Sequence, residues 1–126
     1  MEKSLNTYST AALAYLGDSV IEICVRQRLV KEGYSSSSRL NKLALDYVTA
    51  TSQAEAMRRI LPLLTEEENS VFHRGRNMGH SNIPKSATVA EYREATGMET
   101  LFGYLFLAGR QERIDQLFFE AYPINQ

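Results

Sequence analysis

The chain has 126 residues, of which 44% are hydrophobic and 23% are charged. This length allows one hydrophobic core and leaves no room for an appended module, so we predict a single domain over residues 1–126. The composition excludes a disordered chain, and the net charge of −1 excludes a protein that binds nucleic acid through its overall charge.

The cysteine content and the N-terminal sequence bear on the compartment. Cys24 is the only cysteine and cannot form an intrachain disulfide, which fits a reducing environment. The sequence MEKSLNTYST lacks the apolar segment of a secretory signal, and no apolar run reaches the ~18 residues that span a membrane. We therefore predict a cytoplasmic protein in which Cys24 is a small buried hydrophobe.

Apolar residues recur at spacings of three and four through most of the chain, which is typical of amphipathic helices. The predicted apolar face of the first helix consists of Ala12, Leu13, Leu16, Val20, Ile23, Cys24 and Leu29, and the predicted inner face of the last consists of Ile114, Leu117, Phe118 and Ala121. Pro62 ends one such segment, and Gly33 and Gly109 are expected to stop two others. We predict six helices, from about Thr10 to Val30, Leu40 to Val48, Gln53 to Leu61, Glu66 to Arg74, Thr88 to Leu107 and Gln111 to Tyr122.

Two capping boxes support these helix starts. Thr65 is followed three residues later by Glu68, and Thr88 by Glu91, the pattern in which each side chain satisfies the other's backbone N–H. Gly97 and Gly103 interrupt the helix that Thr88 opens. No window alternates with a period of two for long enough to indicate a strand, so we predict an all-α fold.

The segment from 75 to 87 has no periodicity and is rich in Gly, Asn, Ser and His, so we predict one long loop there. From Asn69 to Ala90 the chain has no acidic residue. Arginine and lysine bind phosphates, and contacts of that kind position a nucleic acid without recognising its sequence. The loop is either a phosphate-binding surface or a basic surface loop of no function, and its composition alone does not separate the two. The candidate phosphate ligands are Arg74, Arg76, Asn77 and Lys85.

Two apolar helices each carry a glycine close to an acid. Gly17 precedes Asp18, and Gly97 lies near Glu99. If the glycines let these helices approach, one carboxylate from each would enter a common cleft and could bind a divalent cation, of which Mg²⁺ is the natural candidate. The alternative is that both acids are solvated or salt-bridged, and spacing alone favours that alternative.

With both features in view, the chain resembles the ribonuclease III catalytic domain, and specifically the mini-ribonuclease III group, which lacks a double-stranded-RNA-binding domain. LAYLGDSV from Leu13 to Val20 is similar to the family's signature helix, LEFLGD followed by a small residue and an aliphatic. ATGMETLFGYLFL from Ala95 to Leu107 is similar to its second acidic helix. The sequence RGRN and the pairs Pro-Lys and Tyr-Arg that follow it resemble the mini group most closely. The resemblance extends over nearly the whole chain.

The resemblance places Asp18 and Glu99 on two of the family's metal-binding acids. Two further acids of the family pattern are absent, because Ala14 stands four residues before Asp18 and Thr96 three residues before Glu99. Glu22, one turn after Asp18, is a further candidate, with a salt bridge to Arg26 as the alternative. Thr96 could hold a metal-bound water.

The resemblance also implies an activity. Mg²⁺, with Mn²⁺ as a possible substitute, would be held by Asp18 and Glu99 and would activate a water for in-line attack on a phosphorus of double-stranded RNA. The products would carry 5′-phosphate and 3′-hydroxyl ends. Family members act as homodimers, and in this group the substrate is typically precursor ribosomal RNA. Because half of the usual acids are missing, the alternative is an RNA-binding module that has lost catalysis.

Overall fold

The computed structural model describes residues 7–79 and 87–124. Within these ranges the chain forms no strand, so the predicted all-α fold of about six helices is confirmed. In chain order the described helices are α1 (Thr10–Lys31), α2 (Ser37–Val48), α3 (Ala50–Ile60), α4 (Glu66–Arg76), α5 (Val89–Leu107) and α6 (Gln111–Ala121).

The predicted start and stop signals operate as expected. The capping boxes at Thr65 and Thr88 are both complete, with the hydroxyl accepting a backbone N–H and the glutamate accepting one in return. Gly33 and Gly109 have φ angles of 99° and 72°, just beyond the ends of α1 and α5. Only glycine adopts this left-handed region without strain, so both residues terminate their helices as predicted.

The predicted start of α3 was wrong by three residues. The helix begins at Ala50 and not at Gln53, because Thr49 is an N-cap: its hydroxyl accepts the N–H of Ser52 at 3.2 Å. Thr49 also ends α2, so the two helices share a single capping residue.

The predicted boundary of the long loop was also wrong. α4 continues two residues beyond Arg74, so Gly75 and Arg76 are helical and the loop begins at Asn77. Residues 80–86 lie outside the described residues. α5 passes through Gly97 and Gly103 as one continuous helix, so these glycines do not interrupt it.

α5 is the central helix of the fold and packs against α1, α3, α4 and α6. From Ala95 to Leu105 every residue of α5 is buried except Glu99, which is half-buried. A helix that is apolar all round has to be surrounded by protein. A carboxylate in such a helix therefore has to be accounted for.

Cys24 and the inner face of α6 are buried as predicted. Cys24 is buried, and burial raises the pKa of its thiol to about 11. The predicted inner face of α6 is buried as well, namely Ile114, Leu117, Phe118 and Ala121. Among the described helices, none combines the length and the apolar character that crossing a membrane requires.

Candidate active site

α1 and α5 cross with their backbones in direct contact. A Cβ atom at position 17 would lie 1.6 Å from the carbonyl oxygen of Glu99, and one at position 103 would lie 2.0 Å from the carbonyl oxygen of Leu13. Neither position could hold a side chain without moving a helix. Gly17 and Gly103 therefore allow the two backbones to touch, and the side chains beside the crossing are brought together.

The prediction that Gly97 forms this crossing was wrong. Gly97 packs against α4, where a Cβ atom would lie 2.6 Å from the ring of Phe72. Residues two apart on a helix point about 200° away from each other, whereas residues four apart share a face. Gly103 is four residues from Glu99, so it lies on the same face and meets α1. The helical period therefore indicated Gly103, whereas the prediction relied on Gly97 because Gly97 lies nearer to Glu99 in the sequence.

The crossing places the carboxyl groups of Asp18 and Glu99 in contact. Burial is the main cause that raises the pKa of Glu99, and the negative charge of Asp18 and a hydrogen bond with its side chain add to it, so that the pKa is about 8. In the metal-free protein at neutral pH, Glu99 is therefore mostly protonated and donates a hydrogen bond to Asp18. Two acids that repel each other in this way are suited to a shared cation or to acid–base chemistry.

These residues fit a divalent cation with few protein ligands. In residues 7–79 and 87–124 no group of three or more His, Cys, Asp or Glu side chains is placed to hold a metal. Asp18 and Glu99 would thus supply two carboxylates. Mg²⁺ is commonly bound in this way, through one or two carboxylates together with waters and substrate phosphates. The cation would also remove the repulsion between the two acids and displace the proton of Glu99.

Ala14 and Thr96, which stand where the family pattern has two further acids, are both buried. Ala14 is 8% exposed and Thr96 is 6% exposed. The hydroxyl of Thr96 donates to the carbonyl oxygen of Tyr92 at 3.0 Å, so its proton is engaged in a hydrogen bond within α5. Glu22 accepts a hydrogen bond from Arg26 at 2.9 Å, which is the salt bridge that formed the alternative to a ligand role.

The four predicted phosphate ligands lie in different surroundings. Arg74 is half-buried and donates to the carbonyl oxygen of Tyr8 at 3.1 Å and to the hydroxyl of Thr10 at 3.2 Å. It therefore ties α4 to the start of α1. Arg76 is half-buried and Asn77 is exposed, both at the C-terminal end of α4, and Lys85 lies outside the described residues.

One face of α1 differs from the prediction. The predicted apolar face included Ile23, but this side chain is 66% exposed. Tyr15 is 84% exposed and Val30 is 62% exposed on the same side of the helix. Tyr15, Ile23 and Val30 are separated by eight and seven residues, so they lie in one stripe along the helix. This spacing in the sequence already indicated a second apolar face of α1.

Both the sequence and the fold of this chain are similar to those of known proteins. The sequence matches the Ribonuclease III domain over residues 11–110. It is 47% identical to Mini-ribonuclease 3 of Symbiobacterium thermophilum, covering 88% of this chain and 85% of that protein. It is 48% identical to Mini-ribonuclease 3 of Desulfitobacterium hafniense, covering 90% and 72%. The fold is similar to the crystal structure of a Fusobacterium nucleatum protein, with a TM-score of 0.84, 32% identity and 93% of each chain covered.

Proposed function

Since this chain belongs to the ribonuclease III family, which consists of endoribonucleases, we propose that it cleaves double-stranded RNA with Mg²⁺ held by Asp18 and Glu99. The family generally uses a divalent metal ion. Mg²⁺ is our proposal because carboxylate oxygens are its preferred protein ligands, and Mn²⁺ accepts the same ligands.

The observation that carries the proposal is the contact between the Asp18 and Glu99 carboxyl groups at the α1–α5 crossing. Two carboxyl groups that repel each other, with Glu99 half-buried and Asp18 exposed at its side, do not stabilise a fold by their pairing. The close packing of α1 against α5 fixes the backbone from which each of the two carboxyl groups projects. This arrangement supports a cation-binding role over that of two solvated surface acids.

When bound, the metal would supply Lewis-acid activation of water and would stabilise the charge that develops at the scissile phosphate. The protein fixes both carboxylates on buried helix backbone and leaves the remaining coordination positions to water and phosphate. Hydrolysis at the 3′ oxygen would give 5′-phosphate and 3′-hydroxyl ends.

The basic end of α4 is the proposed contact with the RNA backbone. Gly75 packs on Thr100, the residue after Glu99, so the end of α4 that carries Arg76 and Asn77 lies beside the segment of α5 that carries Glu99. An A-form duplex is recognised largely through its shape and its phosphates, which suits such a surface. Lys85 is a further proposed contact with the RNA backbone, and Arg74 contributes chiefly by holding α1 in place.

Cleavage of both strands of a duplex requires two acid pairs, and each chain supplies one. We therefore propose a homodimer. The exposed stripe of Tyr15, Ile23 and Val30 on α1 supports it, because three large apolar side chains on one helix face are typical of an interface. Tyr15 is three residues from Asp18, so a dimer formed on this face would have the acid pairs at its edge.

The test is cleavage of a perfect RNA duplex in Mg²⁺ by the parent and by Asp18→Asn. We expect the variant to lose at least about a thousandfold in rate while keeping its affinity for the duplex. Asp115→Asn, on the exposed surface of α6, is the matched control and should cut like the parent. Equal rates for the parent and Asp18→Asn would refute the assignment. A parent that binds the duplex but cuts it with neither Mg²⁺ nor Mn²⁺ would establish the RNA-binding module instead.

Precursor ribosomal RNA is the proposed natural substrate, on the strength of the resemblance to the mini group. Incubating the purified protein with ribosomal precursor transcripts and mapping the product ends tests it. We expect paired cuts on opposite strands with 5′-phosphate ends. Cleavage at unpaired positions would argue against a duplex substrate. The cytoplasmic location stays a prediction.

A further inference from the structure

The α1–α5 crossing has a consequence for metal binding that rests on the proposed function. We infer that Gly103 is a positioning residue for the metal site: the absence of a side chain there sets the separation of α1 and α5 at which Asp18 and Glu99 can share one cation. Gly103 itself would touch neither metal nor RNA.

The geometry gives the size of the effect. A Cβ atom at position 103 would lie 2.0 Å from the carbonyl oxygen of Leu13 and 3.0 Å from the backbone nitrogen of Gly17, whereas ordinary contact begins near 3.4 Å. These are backbone atoms of α1, so no side-chain rotation can relieve the overlap. A methyl group would therefore push α1 away by up to about 1.4 Å, the difference between 3.4 and 2.0 Å.

Such a displacement is large compared with the tolerance of a metal site. Oxygen ligands lie about 2.0–2.1 Å from Mg²⁺, and a working site keeps its distances within about 0.2 Å. Asp18 follows Gly17 directly and Glu99 lies four residues from Gly103, so opening the crossing moves the two carboxylates apart. The cation would then keep one protein ligand in place of two.

The second glycine of α5 provides a matched control. Gly97 faces α4, and a Cβ atom there would lie 2.6 Å from ring carbons of Phe72 and 2.9 Å from its carbonyl oxygen. Gly97→Ala therefore crowds the same helix from a different side and leaves the α1 crossing intact. A general loss of packing would affect both variants alike, whereas a positioning role affects only Gly103→Ala.

The experiment measures Mn²⁺ binding to the metal-free protein, counting free Mn²⁺ by its electron paramagnetic resonance signal. We expect Gly103→Ala to bind Mn²⁺ at least about tenfold more weakly than the parent, Gly97→Ala to stay within about twofold, and all three to bind duplex RNA equally without metal. In cleavage assays Gly103→Ala should need more Mg²⁺ for half-maximal rate and recover most of its rate at saturation. A parent that binds no Mn²⁺ would refute the proposed function itself, separately from the role of Gly103.

A compensating variant separates positioning from damage to the fold. Asp18→Glu adds one methylene, about 1.5 Å of reach, which matches the expected opening. Asp18→Glu alone should weaken Mn²⁺ binding, whereas Gly103→Ala combined with Asp18→Glu should bind Mn²⁺ more tightly than Gly103→Ala alone.

All variants are measured in sucrose, which favours the folded state, and their folding is checked by circular dichroism. The inference is overturned if folded Gly103→Ala binds Mn²⁺ like the parent, if Gly97→Ala is weakened equally, or if the second substitution gives no recovery. A Gly103→Ala chain that cannot fold under these conditions also overturns it, because the inference requires the crossing to open while the core survives.

Discussion

Two helices cross α5 at close range, and the two crossings are built alike but lined differently. At the α1 crossing Gly17 lies against the backbone of Glu99. At the α4 crossing a Cβ atom on Gly75 would lie 2.2 Å from the hydroxyl oxygen of Thr100. That hydroxyl donates to the carbonyl oxygen of Thr96 at 2.7 Å, so its proton is used within the fold. At the α1 crossing two carboxyl groups face each other. Close packing is thus common to both regions, and the unfavourable pairing of acids distinguishes the candidate site.

Phe72→Ala should give the largest effect on stability. This effect should be confined to the α4 crossing. The ring is 2% exposed and lies against Gly97, so its loss leaves a cavity costing about 3–5 kcal/mol in the free energy of unfolding. Urea unfolding measures this loss. Mn²⁺ affinity of the folded fraction should stay within about twofold of the parent value. A parallel loss of Mn²⁺ affinity would mean that the two crossings are not independent.

Glu99→Gln tests the α1 crossing through the pH dependence of stability. In the metal-free protein the pKa of Glu99 is about 8, compared with 4.5 in the unfolded chain. Between these values the unfolded chain has released the proton and the folded protein has not, so the free energy of unfolding falls as pH rises through this window. Above pH 8 Glu99 is ionised in both states, and the free energy of unfolding is lowered by the full cost of ionising Glu99 in the folded protein.

We therefore expect Glu99→Gln to be more stable than the parent at pH 9 by about 2 kcal/mol, less than the full pKa difference implies because Glu99 is half-exposed. At pH 4 the two should be equally stable. Urea unfolding in a chelating buffer at pH 4, 7 and 9 measures this, with Glu112→Gln on the exposed start of α6 as the control. A difference between parent and variant that is the same at pH 4 and pH 9 would contradict the contact between the acids.

Arg74→Ala and Arg76→Ala should separate structure from RNA binding at the end of α4. Arg74 holds Tyr8 and Thr10 by two charge-assisted hydrogen bonds, so its loss should cost about 1–2 kcal/mol of stability. Arg76→Ala should change stability by less than about 0.5 kcal/mol. It should weaken duplex binding and reduce the slope of log K against log[salt] by about one. Unchanged RNA binding by Arg76→Ala at all salt concentrations would remove this end of α4 from the proposed RNA surface.

Glu22→Gln should have the smallest effect. Its partner Arg26 is exposed, and an exposed i,i+4 salt bridge contributes about 0.3–0.5 kcal/mol. We expect cleavage rate and Mg²⁺ requirement within about twofold of the parent. A tenfold increase in the Mg²⁺ requirement would show that Glu22 belongs to the metal site.

Much of the fold could be predicted because its signals are local. The capping boxes at Thr65 and Thr88 and the left-handed glycines Gly33 and Gly109 act within one helix turn, and each works as predicted. The start of α3 at Ala50 was missed because one threonine caps two helices, and the pattern gave no separate signal for the second.

The site was harder to predict because it depends on which helix faces meet. Spacing assigns Asp18 and Glu99 to helices but does not say that α1 crosses α5 at Gly103 and not at Gly97. Composition marked Arg74 as a phosphate ligand, whereas its hydrogen bonds to α1 depend on tertiary packing. The glycine–acid spacing suggested Asp18 and Glu99 as a pair without favouring it, the resemblance to the family placed both on metal-binding acids, and the crossing explains why these two acids lie together.

The central claim is that Asp18 and Glu99 bind one divalent cation as a pair, and calorimetric titration with Mg²⁺ in two buffers of different ionisation enthalpy tests it most directly. Because the pKa of Glu99 is about 8 in the metal-free protein, binding at pH 7 should release close to one proton per ion, and at pH 9.5 almost none. Glu99→Gln should release none and bind far more weakly. Equal heats in both buffers at pH 7, with Glu99→Gln binding as tightly as the parent, would contradict the account.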